Sequence, residues 1–119
     1  MLKIYTYSGC DTCRKALKFL AARQLAATVI PIRETPPTPA ELRAMLAEYG
    51  GSGNLRKLFN TSGRDYQALG LAEKLPALGE AEALALLAAN GNLVKRPFLI
   101  GNTARRVGFR EEEWVARLG

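Results

Sequence analysis

Cys10-Asp11-Thr12-Cys13 holds both cysteines of the chain, three residues apart. A thiolate is a nucleophile, and a second thiol one helical turn away can resolve whatever it forms. The residues before Cys10 alternate like a strand and those after it follow a helical period. Cys10 therefore stands just ahead of a helix N-terminus. The free N–H groups and partial positive charge there favour the ionised sulfur, and Arg14 and Lys15 add to this. Cys13 opens the apolar stripe of that helix, so it is expected to be the less exposed of the two. The asymmetry casts Cys10 as attacking thiol and Cys13 as resolving thiol. Other uses stay open: Cys10 acting alone with Cys13 merely packing, or two inert core cysteines, a role that fits Cys13 better than Cys10. Half a zinc site would need two more ligands, and the chain has no histidine and no third cysteine.

Lys95-Arg96-Pro97 is a second constellation. The planar fork of an arginine suits a tetrahedral oxyanion or a carboxylate; equally, Arg96 can be a surface residue ahead of an edge strand. Arg105, Arg106 and Arg110 form a further basic group, solvated or paired with Glu111–Glu113. Asn60-Thr61-Ser62-Gly63 can hold a ligand or simply make a turn.

The elements that must position these groups read as follows. Leu2–Tyr7 is a strand. From Asp11 to about Gln24, apolar Cys13, Ala16, Leu17 and Leu20 recur at helical spacing. Ala27–Ile32 is a second strand, parallel to the first because a helix separates them. Thr38, Pro39 and Glu41 form an N-cap, a first-turn proline and a capping box for a helix running to about Tyr49, ended by Gly50-Gly51-Ser52-Gly53. Residues 54–90 are helical with interruptions: a short helix over Leu55–Phe59, a turn at Asn60–Gly63, and an Ala/Leu-rich helix after Gly79. Pro97–Ile100 and Ala104–Gly108 are strands joined at Gly101-Asn102, and Glu111 opens a last helix with acids in its first turn. The fold class is α/β: a mixed central sheet flanked by helices, thioredoxin-like, in a single domain over residues 1–119 with a helical insertion at about 38–90.

The totals agree with a small globular protein. The hydrophobic share is 48%, the charged share 24% and the net charge +6. The excess is uneven: nine Lys/Arg face four Asp/Glu in residues 1–60, but eight face seven in 61–119. A basic surplus beside the cysteines can draw an anionic substrate, glutathione or nucleic acid, or can serve solubility alone. The absence of histidine excludes His-based triads. No apolar run reaches membrane-spanning length and the first residues already alternate as a strand, so a cytoplasmic protein without a leader is expected.

The ordered set of Tyr5–Leu20, Leu58-Phe59-Asn60-Thr61-Ser62-Gly63 with Tyr66 and Leu69-Gly70-Leu71, Asn92–Pro97, and Val107-Gly108-Phe109 resembles the ArsC family. That family comprises glutaredoxin-linked arsenate reductases, Spx-type transcription regulators and related small thiol proteins. The resemblance implies a thioredoxin-like fold with a helical insertion. It also implies a nucleophilic Cys10, an oxyanion-contacting Arg96 and a structural cis-proline at Pro97. Two further family arginines would fall near Asn60, which is not basic, and among Arg105, Arg106 and Arg110. The oxyanion or glutathione contacts expected on this basis are Arg96, Thr12, Arg14, Asn60 and Arg106. The function implied is thiol-dependent reduction of arsenate to arsenite, with no bound cofactor. Glutathione with glutaredoxin, or thioredoxin, would be the electron donor, and Cys13 the resolving thiol. The alternative is a redox-sensing regulator that binds RNA polymerase, since the paired cysteines are a feature of the Spx-type branch. Neither a membrane nor a nucleic-acid partner is expected, no recognised DNA-binding motif being present, and the chain is expected to be a monomer.

Overall fold

The computed structural model describes residues 2–118. Strands β1 (Leu2–Thr6) and β2 (Ala27–Pro31) pair in parallel, with Ile4 opposite Val29, and helix α1 (Asp11–Ala22) connects them. The alternation of Lys3 and Tyr5 against Ile4 decides which side chains meet which face of the sheet. Strand β3 (Phe98–Ile100) lies antiparallel on the other side of β1. Strand β4 (Arg105–Val107) pairs antiparallel with β3, giving the order β2-β1-β3-β4. Helix α6 (Glu111–Leu118) follows. A parallel βαβ unit followed by an antiparallel ββα unit around one mixed sheet is the thioredoxin-like arrangement.

The two faces of the sheet are covered differently. On one, Ile4 and Leu99 pack with Ala16 and Leu20 of α1 and with Trp114 of α6. The indole of Trp114 is 1% exposed and donates to the Gly108 carbonyl at 3.2 Å. On the other, Tyr5, Phe98 and Ile100 meet a larger cluster supplied by the segment between β2 and β3. That segment holds α2 (Pro39–Glu48), a 3-10 stretch over Ser52–Leu58, α3 (Arg64–Ala68), α4 (Leu71–Lys74), a short 3-10 turn at Leu75–Ala77 and α5 (Glu80–Ala89). Among the described residues no helix is long and apolar enough to cross a membrane.

The start of α2 has the capping geometry its sequence calls for. Thr38 Oγ1 accepts from Glu41 N–H at 3.2 Å, and Glu41 Oε1 accepts from Thr38 N–H at 3.1 Å. Glu41 also accepts from Tyr5 Oη at 2.6 Å and Lys3 Nζ at 2.7 Å, tying α2 to β1. Burial alone would raise the Glu41 carboxyl, but these hydrogen bonds outweigh it and hold it below its ordinary value.

Strands β2, β3 and β4 are each one or two residues shorter than the sequence reading, and three other boundaries differ in ways that shape the site. β1 stops at Thr6, and Tyr7 begins the turn that carries the cysteines. α1 ends at Ala22, because Gln24 takes a positive φ of 58° and turns the chain back. Phe59 is extended rather than helical and bridges Val94 across an antiparallel contact. That bridge anchors the Asn60–Gly63 turn to the segment before β3.

Candidate active site

The turn between β1 and α1 is pinned by its own backbone. Cys10 N–H donates to the Tyr7 carbonyl at 3.0 Å, and Cys10 has the extended conformation of an N-cap (φ −102°, ψ 115°). In place of the usual oxygen, its Sγ accepts from Cys13 N–H at 3.2 Å. The sulfur therefore receives one of the free N–H groups of α1. Cys10 is half-buried and Cys13 is 1% exposed; both are free thiols. Burial pushes the Cys13 thiol up to about 12, and its hydrogen bond to Cys10 pushes in the same direction. The backbone of Tyr7 and the charge of Arg96 oppose this rise. Burial thus favours the neutral form of the Cys13 thiol, while the Cys13 N–H contacts the Cys10 sulfur.

Arg96 reaches this place from the loop before β3, where the Arg96–Pro97 peptide is cis. Its guanidinium lies over the Tyr7 ring, 5.2 Å from the centroid. It forms no ion pair among the described residues, and its buried Nη1 has no protein hydrogen-bond partner.

Beside the cysteine turn opens a cleft of about 730 Å³, lined by Thr12 from α1, by Tyr49, Arg56, Lys57, Phe59 and Thr61, and by Lys95, Arg96, Phe109 and Arg110. Five cations and one carboxylate, Glu113, line it. Only Arg110 of the five has an acidic partner among the described residues, Glu113 at 3.5 Å. Cys10 itself is not a lining residue; Thr12, two residues on, lines the cleft, and the charge of Arg96 acts on Cys13. The cations come from both halves of the chain, so the basic surplus of residues 1–60 accounts for only part of the charge here.

Of the residues expected to bind substrate, Thr12 and Arg96 line the cleft and three others do not. Arg14 is occupied at the turn, donating to the Ser8 carbonyl at 2.8 Å and pairing with the Asp11 carboxylate. Asn60 is a joint: its N–H donates to the Leu93 carbonyl at 2.7 Å, its side-chain amide reaches the Asn92 carbonyl at 3.5 Å, and it packs against Gly63. The next residue, Thr61, meets the cleft instead. Arg106 pairs with Leu99 in the sheet and lays its guanidinium over the Tyr49 ring, 5.3 Å from the centroid, so it stands behind a lining residue. Arg105 is committed to Glu48, which also pairs with Arg117.

Tyr49, Arg56 and Lys57 were not singled out from the sequence. The usable signal was the Arg-Lys pair directly after the glycine-rich break, on a piece of chain too short to show a face. The Tyr49 hydroxyl accepts from Val107 N–H at 3.1 Å, which fixes the ring against β4, and Lys57 Nζ lies 5.7 Å from its centroid.

Comparison with known proteins agrees with this architecture. Residues 5–117 match the family model described as ArsC family. YusI of Bacillus subtilis, itself uncharacterised, is 44% identical over 95% of this chain and 94% of its own. A crystal structure of a possible arsenate reductase from Streptococcus mutans superposes with a TM-score of 0.87 at 39% identity, covering 97% of this chain and 98% of its own. The global transcriptional regulator Spx of Enterococcus faecalis is 29% identical over 95% of this chain and 83% of its own.

Proposed function

The chain belongs to the ArsC family, and on that footing we propose that it is a thiol-dependent oxidoreductase that reduces arsenate to arsenite. The observation that carries this reading is the Cys10 sulfur capped by the Cys13 N–H, beside a buried Cys13 thiol on which the charge of the cleft residue Arg96 acts. The name of the Streptococcus mutans relative supports the choice of oxyanion.

The chemistry balances with the groups at hand. The Cys10 thiolate attacks arsenic, an S–As bond forms, and one arsenate oxygen leaves as water with a proton from solvent. Arg96 pairs with the remaining oxygens through charge-assisted hydrogen bonds, its buried Nη1 having no partner among the described residues. The Cys13 sulfur then attacks the Cys10 sulfur. The S–S bond forms, the S–As bond breaks, its electron pair stays on arsenic, and the Cys13 proton leaves on the arsenite oxygen. An external dithiol or glutathione, through thioredoxin or glutaredoxin, reduces the disulfide and resets the pair. The raised protonation range of Cys13 keeps it from competing with Cys10 for the oxyanion in the first step, and in the second its proton must leave as the sulfur attacks.

Arsenate turnover measured with thioredoxin and, separately, with glutathione and glutaredoxin tests this. Cys10→Ser is expected to remove turnover, and retention of full activity by that variant would defeat the proposal. The second reading, an Spx-type regulator, draws on the paired cysteines and the similarity to Spx. It predicts capture of RNA polymerase by one redox state of the chain, and a pull-down empty in both states would reject it.

A further inference from the structure

We infer that Tyr7 is a positioning residue that aims the Arg96 guanidinium at the cysteine turn without neutralising it. The inference rests on Arg96 acting as the anion clamp proposed above.

Tyr7 is joined to every part of the site. Its carbonyl accepts from Cys10 N–H at 3.0 Å, and its backbone also contacts the Cys13 thiol. Its half-buried ring lies under two guanidiniums, Arg96 at 5.2 Å and Arg33 at 5.0 Å from the centroid. Gly9 makes the close approach of the turn to this ring possible: a Cβ on Gly9 would come within 2.7 Å of the ring edge. So the residue directly before the nucleophile is kept small by the ring that holds the clamp.

The type of contact matters. An arginine is usually oriented by a carboxylate, which also cancels its charge. Arg96 has no ion pair among the described residues, and its buried Nη1 has no protein partner. The face of an aromatic ring attracts and flattens a guanidinium while leaving its N–H fork and net charge for an incoming anion. Tyr7 supplies that face at a position one residue beyond β1, where the rigid sheet ends and the cysteine turn begins. The ring thereby couples the place of the nucleophile to the place of the clamp.

The test compares alkylation of Cys10 by an anionic reagent, iodoacetate, with a neutral one of similar size, iodoacetamide. It is read on the native reduced chain by peptide mass spectrometry, and the ratio of the two rates reports the cation at the sulfur whether or not arsenate is a substrate. Arg96→Leu is expected to lower the ratio. Tyr7→Leu and Tyr7→Met are expected to lower it by about three- to ten-fold, the range of a partly desolvated cation–π contact, while Tyr7→Phe keeps it. The double variant Tyr7→Leu/Arg96→Leu should fall no further than Arg96→Leu alone, the signature of one residue acting through another. In arsenate assays Tyr7→Leu should raise KM more than it lowers kcat. The inference is overturned if Arg96→Leu lowers the ratio while folded Tyr7→Leu and Tyr7→Met do not, or if the two losses add. A failure of arsenate turnover with the ratios behaving as stated would reject the substrate and leave the role of Tyr7 standing.

Discussion

Asp65, Asn60, Asn90 and Asn92 spend their polar groups on one another, whereas Arg96 and most of the cleft cations do not. In the first region Asn90 and Asn92 donate to the Asp65 carboxylate at 2.9 and 3.3 Å. The Asn90 side-chain oxygen accepts from Asn92 N–H at 3.0 Å, and Asn60 closes the set through Asn92 and Leu93. The two amide hydrogen bonds lower the Asp65 carboxyl below its ordinary value. This is a knot that joins α3 to the turn after α5. In the second region the Arg96 fork is free of ion pairs, and Arg56, Lys57 and Lys95 have no acidic partner among the described residues. Buried or half-buried polar groups are ordinarily paired. Of these cations Arg96 is half-buried while Arg56, Lys57 and Lys95 are exposed, so leaving them without acidic partners costs little stability and keeps a place for an anion; the knot pairs its polar groups and gains rigidity instead.

The comparison is broken first at the site. Arg96→Leu is expected to lower kcat/KM for arsenate by about 10- to 100-fold, the worth of charge-assisted hydrogen bonds, with little change in thermal stability. Steady-state kinetics beside a melting curve would show both. The complementary break is Gly91→Ala in the knot. Gly91 is buried with the Ile32 carbonyl directly where a Cβ would go, so overpacking of about 1–3 kcal/mol is expected, seen as a lower denaturation midpoint. The folded fraction should retain wild-type kcat/KM. Asn60→Ala should cost about 0.5–1.5 kcal/mol and leave the arsenate KM unchanged; a raised KM would return Asn60 to the substrate site. The smallest effect concerns the Glu41 joint between α2 and β1. Its folded carboxyl sits below the ordinary value, so its charge stabilises the fold at neutral pH. That contribution is lost as pH falls through and below the usual carboxylate range. The gap in denaturant midpoint between wild type and Glu41→Gln should therefore close on acidification, and a gap that persists at low pH would show that the charge is not its source.

Local patterns carried much of this architecture. The alternation of Leu2–Thr6, the stripe of Cys13, Ala16 and Leu20, and the cap formed by Thr38, Pro39 and Glu41 each specify their element through neighbours in sequence. The segment between α2 and α5 was legible only as broken helix, since α3 and α4 span five and four residues and show no face of their own. At the candidate site, the capped position of Cys10 and the burial of Cys13 follow from strand, turn and helix in order. The gathering of Arg56, Lys57, Lys95, Arg96 and Arg110 around one cleft is set by how β3, β4 and the 3-10 stretch pack, which no spacing encodes. The same distance in sequence hid the contact of Tyr7 with Arg96, and hid that the Asn60 amide reaches toward Asn92 while Thr61 lines the cleft.

Competition between the two thiols gives the most direct check. The native reduced protein would be treated with a limiting neutral alkylating reagent at neutral pH, and the modified peptides counted over time. A capped, half-buried Cys10 and a buried, protonated Cys13 predict that Cys10 is modified at least about 100-fold faster; equal rates, or modification of Cys13 first, would contradict the assignment of the nucleophile and the redox function built on it.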